Sequence, residues 1–291
     1  MPTLSDWIAG ARLRTLPAAI APVAVGTGAA VGAAAASVPR ALLALGVAVA
    51  LQIGVNYAND YSDGVRGTDD VRTGPARLTG GGIAAPEAVR GAAFAAFGVA
   101  GALGLVLVML AGAWWLLAVG VLAVLAAWYY TGGRRPYGYL GLGEVFVFVF
   151  FGLVATLGTA YTQSPGAAQT WTVWAGAAGT GTLSCALLMI NNVRDARTDA
   201  GVGKRTLAVR LGDRRARLAY VAMLVVPVLL GLACAAVRPW SLLVLLLVPW
   251  VVRLARVVLS GAVGRDLVAV LGGTGRVGLL YGLLLGAGLA L

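Results

Sequence analysis

The amino-acid sequence predicts an all-α protein that crosses a membrane many times. Three observations carry that class. Of the 291 residues, 60% are hydrophobic and 11% are charged, against about 25% charged in an ordinary soluble domain. The hydrophobic residues gather in long runs, and a transmembrane helix needs about 20 consecutive apolar residues. Those runs are built from Ala, Leu, Val and many of the 42 glycines, without the apolar–polar alternation of a membrane β-barrel strand. An ordinary cytosolic enzyme, a disordered chain and a disulfide-stapled secreted module are excluded.

Nine spans are expected within a single domain over 1–291. The first, 16–36, follows Arg12 and Arg14. It resembles a secretion signal, but Pro17 and Pro22 interrupt it and it exceeds the 7–15 residues of a signal core. An uncleaved span is the better reading. The second, 41–58, leads into a long loop with Arg66, Arg72, Arg77 and Arg90. Spans three and four, 90–110 and 113–130, share a short uncharged connection and precede Arg134 and Arg135. Spans five and six, 142–162 and 171–191, lead into the most basic loop, from Arg194 to Arg217. Spans 218–237, 241–258 and 274–291 complete the set, with Arg253, Arg256, Arg265 and Arg276 after the eighth.

The formal charge is +11, from 22 Lys and Arg against 11 Asp and Glu. All the basic residues except Arg40 and Arg238 fall on one side of these spans. The positive-inside rule makes that side cytoplasmic. The N-terminus is then cytoplasmic and, with an odd number of spans, the C-terminus lies outside. Topology thus accounts for the basic excess, and no nucleic-acid partner is implied. The chain has no histidine, which excludes His-ligated metals, His-dependent triads and imidazole proton relays. Cys185 and Cys234 sit in apolar runs and read as small buried hydrophobes.

Two acidic segments match each other. One is Asn56-Tyr-Ala-Asn-Asp60-Tyr-Ser-Asp63, continuing to Asp69-Asp70; the other is Asn191-Asn-Val-Arg-Asp195-Ala-Arg-Thr-Asp199. Each lies at the cytoplasmic end of an even-numbered span. Helical spacing puts 56, 60 and 63 on one face, and 191, 195 and 199 on another. Like charges one turn apart repel and are costly near a bilayer, so a positive partner is expected. A hard divalent cation such as Mg²⁺ takes oxygen ligands, often one or two carboxylates plus substrate phosphates. Two such clusters facing each other can hold a diphosphate between them. Arg66, Arg72, Arg77, Arg134, Lys204 and Arg205 are placed to neutralise the remainder. These acids could instead pair with loop arginines on a solvated surface, but the duplication and the helical spacing favour the metal–diphosphate site. A cation transporter would spread its charges through the membrane depth; here the acids concentrate at one interface.

At these residues the chain resembles the UbiA superfamily of membrane prenyltransferases, with Asn56, Asp60 and Asp63 as the first motif and Asp195 and Asp199 as the second. The segments NYANDYSDGVRGTDD (56–70), GPARL (74–78), YTGGRRPYGYLGLGEVFVFVFFG (130–152) and NNVRDARTDAGVGKRTLAVRLGD (191–213) are most similar to the branch that prenylates 1,4-dihydroxy-2-naphthoate in menaquinone biosynthesis. The resemblance implies nine transmembrane helices around a central cavity, under a cytoplasmic cap of loops, in a bacterial cell membrane. It implies Mg²⁺-dependent transfer from a polyprenyl diphosphate to 1,4-dihydroxy-2-naphthoate, with loss of CO₂. A related reading keeps the chemistry but takes another aromatic acceptor, such as 4-hydroxybenzoate.

That chemistry needs particular side chains. Asp60, Asp63, Asp195 and Asp199 are the expected metal ligands. Asn56, Asn191, Lys204, Arg205, Arg72 and Arg134 are expected to bind substrate. An allyl cation needs a dry cavity with electron-rich walls; the candidates are Tyr57, Tyr61, Tyr137, Tyr139, Phe146, Phe148, Phe150 and Phe151. Asp60 or Glu144 could take a proton from an acceptor hydroxyl, and Arg134, Arg135 or Arg12 could hold its carboxylate. The prenyl tail is expected to leave sideways between helices into membrane lipid. Nothing in the sequence specifies an oligomeric state.

Overall fold

The structure, a computed structural model, describes residues 2–67 and 77–291. Arg72, Asp69 and Asp70 lie outside the described residues. The elements are α1 (Leu4–Gly10), α2 (Pro17–Gly32), α3 (Val38–Val65), α4 (Pro86–Ala111), α5 (Leu116–Tyr129), α6 (Gly143–Gln163), α7 (Trp171–Gly201), α8 (Leu207–Leu211), α9 (Asp213–Cys234), α10 (Pro239–Leu259) and α11 (Arg265–Ala290). Seven of these, α3, α4, α6, α7, α9, α10 and α11, are long and apolar enough to cross a membrane. Residues 4–15 and α2, a pair bent by 50°, would make an eighth if taken together as one span. Arg12, in the left-handed region at φ 53°, and Pro17 at the start of α2 account for the break. The fourth expected span, 113–130, corresponds to α5, whose 14 residues reach only about 21 Å.

The observed helices begin and end within a few residues of the expected spans, with one instructive difference. α3 and α7 run on past their apolar stretches, for 28 and 31 residues. Their extra turns carry the acidic motifs, so the acids sit on continuous rigid helix. Span nine also starts earlier than expected, because α11 includes the polar turn from Arg265.

Small residues set the packing, as expected where lipid removes the hydrophobic drive between helices. α2 lies against α11 with Gly28 on the Gly286 carbonyl and Gly282 on Ala21. This contact joins the first and last long helices. α7 is the most enclosed helix, with 67% of its apolar window buried. Gly181 lets it meet Gly152 of α6, and Gly179 makes room for the Tyr281 ring of α11. α3 receives the Phe97 ring of α4 at Gly54.

Arg40 and Arg238, the two outlying cations, have a shared structural task. Arg40 donates to the carbonyls of Leu110, Thr162 and Gln163, at the C-terminal ends of α4 and α6. Arg238 donates to Gly32 at the end of α2, at 2.9 Å. Helix C-termini leave carbonyls unpaired and carry partial negative charge, so cations suit them.

Candidate active site

The last turns of α3 and α7 open onto one cavity of about 1230 Å³. Asn56, Asp60, Asp63, Asn191, Asp195 and Asp199 all line it. The two matching motifs therefore share a single hollow. From Asp63 the lining continues along α3 to Ala44, about 28 Å at 1.5 Å per residue. That distance is nearly the thickness of a hydrocarbon core. Over this depth the walls are mostly apolar, supplied by α3, α4, α5 and α6.

Each acid is held differently. Asp60 is fully buried. Its two oxygens accept from the backbone N–H groups of Leu78 at 3.1 Å and Thr79 at 2.9 Å, which fastens the loop after α3 to the motif. Asp63 accepts from the Tyr139 hydroxyl at 2.8 Å. Asp195 is gripped by both arms of Arg194, at 2.7 and 2.6 Å. Asp199 faces Lys204 at 3.5 Å through Oδ1, while its Oδ2 is buried with no hydrogen-bond partner among the described residues.

Tyr139 joins the two sides of the site. Its ring lies beneath Arg66 at 5.4 Å and Lys204 at 5.2 Å, and its carbonyl accepts from the Arg205 N–H at 3.0 Å. The loop after α5 is thus stapled to the loop after α7. Asn56 lines the cavity but commits its amide to Ala11 and Thr15, at 2.8 and 2.9 Å, anchoring the broken N-terminal helix. Asn191 accepts from Arg194 at 2.8 Å.

An aromatic column stands beside the acids. Tyr130 meets Tyr137 edge-on at 5.5 Å, Tyr137 stacks on Phe146 at 3.9 Å, and Phe146 on Phe150 at 6.4 Å. All four line the cavity. Burial pushes the Tyr137 phenol above its ordinary range, and its hydroxyl donates to the Ala126 carbonyl at 2.7 Å. A π-helical stretch, Phe148–Val154, interrupts α6 here. Its consequence is geometric: Phe146, Phe150, Val154, Gly158 and Thr162, four apart, all reach the cavity. In an α-helix every step of four overshoots a turn by about 40°; the wider π turn cancels part of that drift.

Several expected residues are placed elsewhere. Tyr61 stacks on Trp128 at 6.1 Å, with the Arg90 guanidinium over its ring at 5.8 Å, and does not line the cavity. Tyr57 donates to the Trp7 carbonyl, and Phe148 packs on Gly181. Arg134, Arg135 and Arg205 are exposed and do not line the cavity. Glu144 is buried beside it, accepting from Asn192 at 3.3 Å. Arg77, one of the arginines expected near the diphosphate, does line the cavity, and so do Asn59, Thr131 and Arg194, which were not singled out. Asn59 and Arg194 stand inside the two motifs, which was the only sequence signal for them.

The donor set suits a hard cation. Every candidate ligand is an oxygen, and the unpartnered Asp199 Oδ2 is an atom whose desolvation an incoming cation would offset. Among the described residues no three acidic side chains converge on one point. An ion would therefore take one or two carboxylates and complete its shell from phosphate and water, as Mg²⁺ commonly does.

The family model for UbiA prenyltransferases matches residues 19–266. The chain belongs to the UbiA prenyltransferase family. This UbiA prenyltransferase is 51% identical over 290 residues to the 1,4-dihydroxy-2-naphthoate octaprenyltransferase of Mycobacterium tuberculosis, covering 100% of this chain and 98% of that protein. It is 38% identical over 266 residues to the Escherichia coli protein of the same name, covering 87% of this chain and 84% of that one. The fold is also that of a UbiA homolog from Aeropyrum pernix, with TM-score 0.71 at 17% identity over 93% of this chain and 96% of that one. A UbiA homolog from Archaeoglobus fulgidus bound to DMAPP and Mg²⁺ superposes with TM-score 0.63 at 15% identity, over 96% of this chain and 98% of that one.

Proposed function

We propose that this protein transfers a polyprenyl group from a polyprenyl diphosphate to 1,4-dihydroxy-2-naphthoate. The observation that carries this reading is the shared cavity: two acidic clusters at one end, an aromatic column beside them and an apolar shaft of membrane depth below. That sequence of surfaces matches a charged head, a reactive allylic carbon and a long hydrocarbon tail. The acceptor assignment rests on the full-length likeness to relatives that carry that name.

Asp60, Asp63, Asp195 and Asp199 would hold the metal, with Mg²⁺ supplying Lewis-acid neutralisation of the diphosphate leaving group when bound. Arg77, Arg194 and Lys204 line the same end and would give charge-assisted hydrogen bonds to phosphate oxygens. As the allylic C–O bond breaks, positive charge develops next to the Tyr137–Phe146–Phe150 stack, where each ring face contributes on the order of 0.5–2 kcal/mol. The apolar walls exclude water that would otherwise capture the cation. The acceptor carbon bearing the carboxylate forms the new C–C bond. Its CO₂ departs leaving the bonding pair in the ring, so aromaticity returns without removal of a ring proton. This suits a chain without histidine.

In the membrane, the bent N-terminal pair and the short α5 would complete nine crossings, with the acid-bearing ends and the N-terminus cytoplasmic and the C-terminus outside. The deciding experiment incubates purified protein with a polyprenyl diphosphate and either acid, with Mg²⁺ or EDTA. Prenylated product and equimolar CO₂ are expected from the naphthoate with Mg²⁺ alone. Transfer to 4-hydroxybenzoate and none to the naphthoate would overturn the assignment.

A further inference from the structure

Arg194 would bind phosphate oxygens, yet its guanidinium already holds a carboxylate. Its side chain is 4% exposed, although it belongs to a helix that faces a polar cavity. Its guanidinium takes both oxygens of Asp195, through Nε at 2.7 Å and Nη2 at 2.6 Å. Nη2 also donates to Asn191 Oδ1 at 2.8 Å. Arg194 thus covers two of the three residues of the second motif that face the cavity. Neighbouring residues on a helix point about 100° apart, so this side chain must fold back to reach Asp195. A buried carboxylate is costly unless paired, and the guanidinium meets that cost.

The same grip conflicts with the function proposed for Asp195, on which this inference rests. The guanidinium takes one lone pair on each oxygen, so a divalent ion would have to share the carboxylate with a planar cation lying against it. Two cations on one carboxylate also repel. A diphosphate resolves the conflict, because the guanidinium fork matches phosphate oxygens as well as it matches a carboxylate. We propose that Arg194 is a transferable counter-charge: it neutralises Asp195 in the unliganded protein, then swings to the diphosphate as metal takes its place. Metal at the second motif is therefore coupled to diphosphate, because each removes the obstacle to the other. The exchange makes and breaks no covalent bond.

The test measures binding rather than turnover, using Mn²⁺ and inorganic diphosphate with the full-length protein in detergent. Without diphosphate, Arg194→Gln should bind Mn²⁺ about tenfold more tightly than the unaltered protein, since the guanidinium clamped on Asp195 is removed. With Mn²⁺ saturating, the same variant should bind diphosphate about tenfold more weakly. Arg194→Lys keeps a charge but loses the fork; it should bind Mn²⁺ with intermediate affinity and still lose diphosphate affinity. If Arg194→Gln does not fold, the lysine variant decides the matter. Mn²⁺ affinity unchanged or weakened in the folded variants would overturn the counter-charge role, because a purely structural arginine predicts no gain. Asp195→Asn separates the two claims. If it leaves Mn²⁺ binding intact, the metal-ligand reading itself has failed; if it weakens binding while the Arg194 variants show no gain, only the exchange has failed.

Discussion

Replacing Asp60 by Asn tests whether one carboxylate both serves the site and fastens the loop over it. The change preserves shape and removes the charge. In the native protein the two oxygens accept separate backbone N–H groups, from Leu78 and Thr79. An asparagine offers one oxygen and one NH₂, so one backbone donor would face another donor. The loss is one hydrogen bond to a charged acceptor, about 1.5–3 kcal/mol, plus a buried N–H left unpaired, about 1–3 kcal/mol. Together they weaken the docking of residues 77–84 by about 2.5–6 kcal/mol. At 1.4 kcal/mol per factor of ten, the open fraction rises between about sixtyfold and about twenty-thousandfold. Leu78 is 2% exposed and packs with Tyr57, Ala58 and Val89, so opening exposes amides that are otherwise protected. Hydrogen exchange of residues 78–84 in detergent, without metal, reads this directly. Asp63→Asn is the control: Tyr139 can donate to an amide oxygen as well as to a carboxylate, so exchange in the loop should stay near its native rate. Native exchange rates in Asp60→Asn would refute the anchoring role, whatever happens to activity.

Asp63→Asn and Asp195→Ala should each abolish prenyl transfer while expression and membrane insertion persist; near-normal turnover in both would remove the metal site. Lys204→Ala should weaken binding of the prenyl diphosphate more than of the naphthoate, and equal losses would count against its assigned partner. Gly104 lines the shaft with its nearest side-chain neighbour, Val47, 3.8 Å from an added Cβ; Gly104→Leu should therefore shift preference toward shorter prenyl diphosphates, and an unaltered length profile would show that the tail lies elsewhere. Gly28→Ala would place a methyl group 2.0 Å from the Gly286 carbonyl oxygen. Thermal unfolding in detergent should register about 1–3 kcal/mol of destabilisation, and no loss would contradict the α2–α11 contact.

The membrane class, the span positions and the acid pairs were legible in the sequence because each depends on local quantities. Apolar run length reports a crossing, and the spacing 56–60–63 or 191–195–199 reports one face of one helix. Those properties belong to a helix by itself. What a face meets belongs to its neighbours. Periodicity alone did not separate Tyr61, turned toward Trp128, from Phe146 and Phe150, which a π-helical stretch aims into the cavity. Backbone donors carry no side-chain signature, so the hold of Leu78 and Thr79 on Asp60 had no sequence signal. Arg194 reaches its own neighbour in the chain, against the helical rule that adjacent side chains diverge. The sequence by itself determined which groups are charged, where they stand relative to the apolar runs and that they come in two matching sets. Only the tertiary structure decided that the sets share one hollow, because that depends on how helices far apart in the chain pack together.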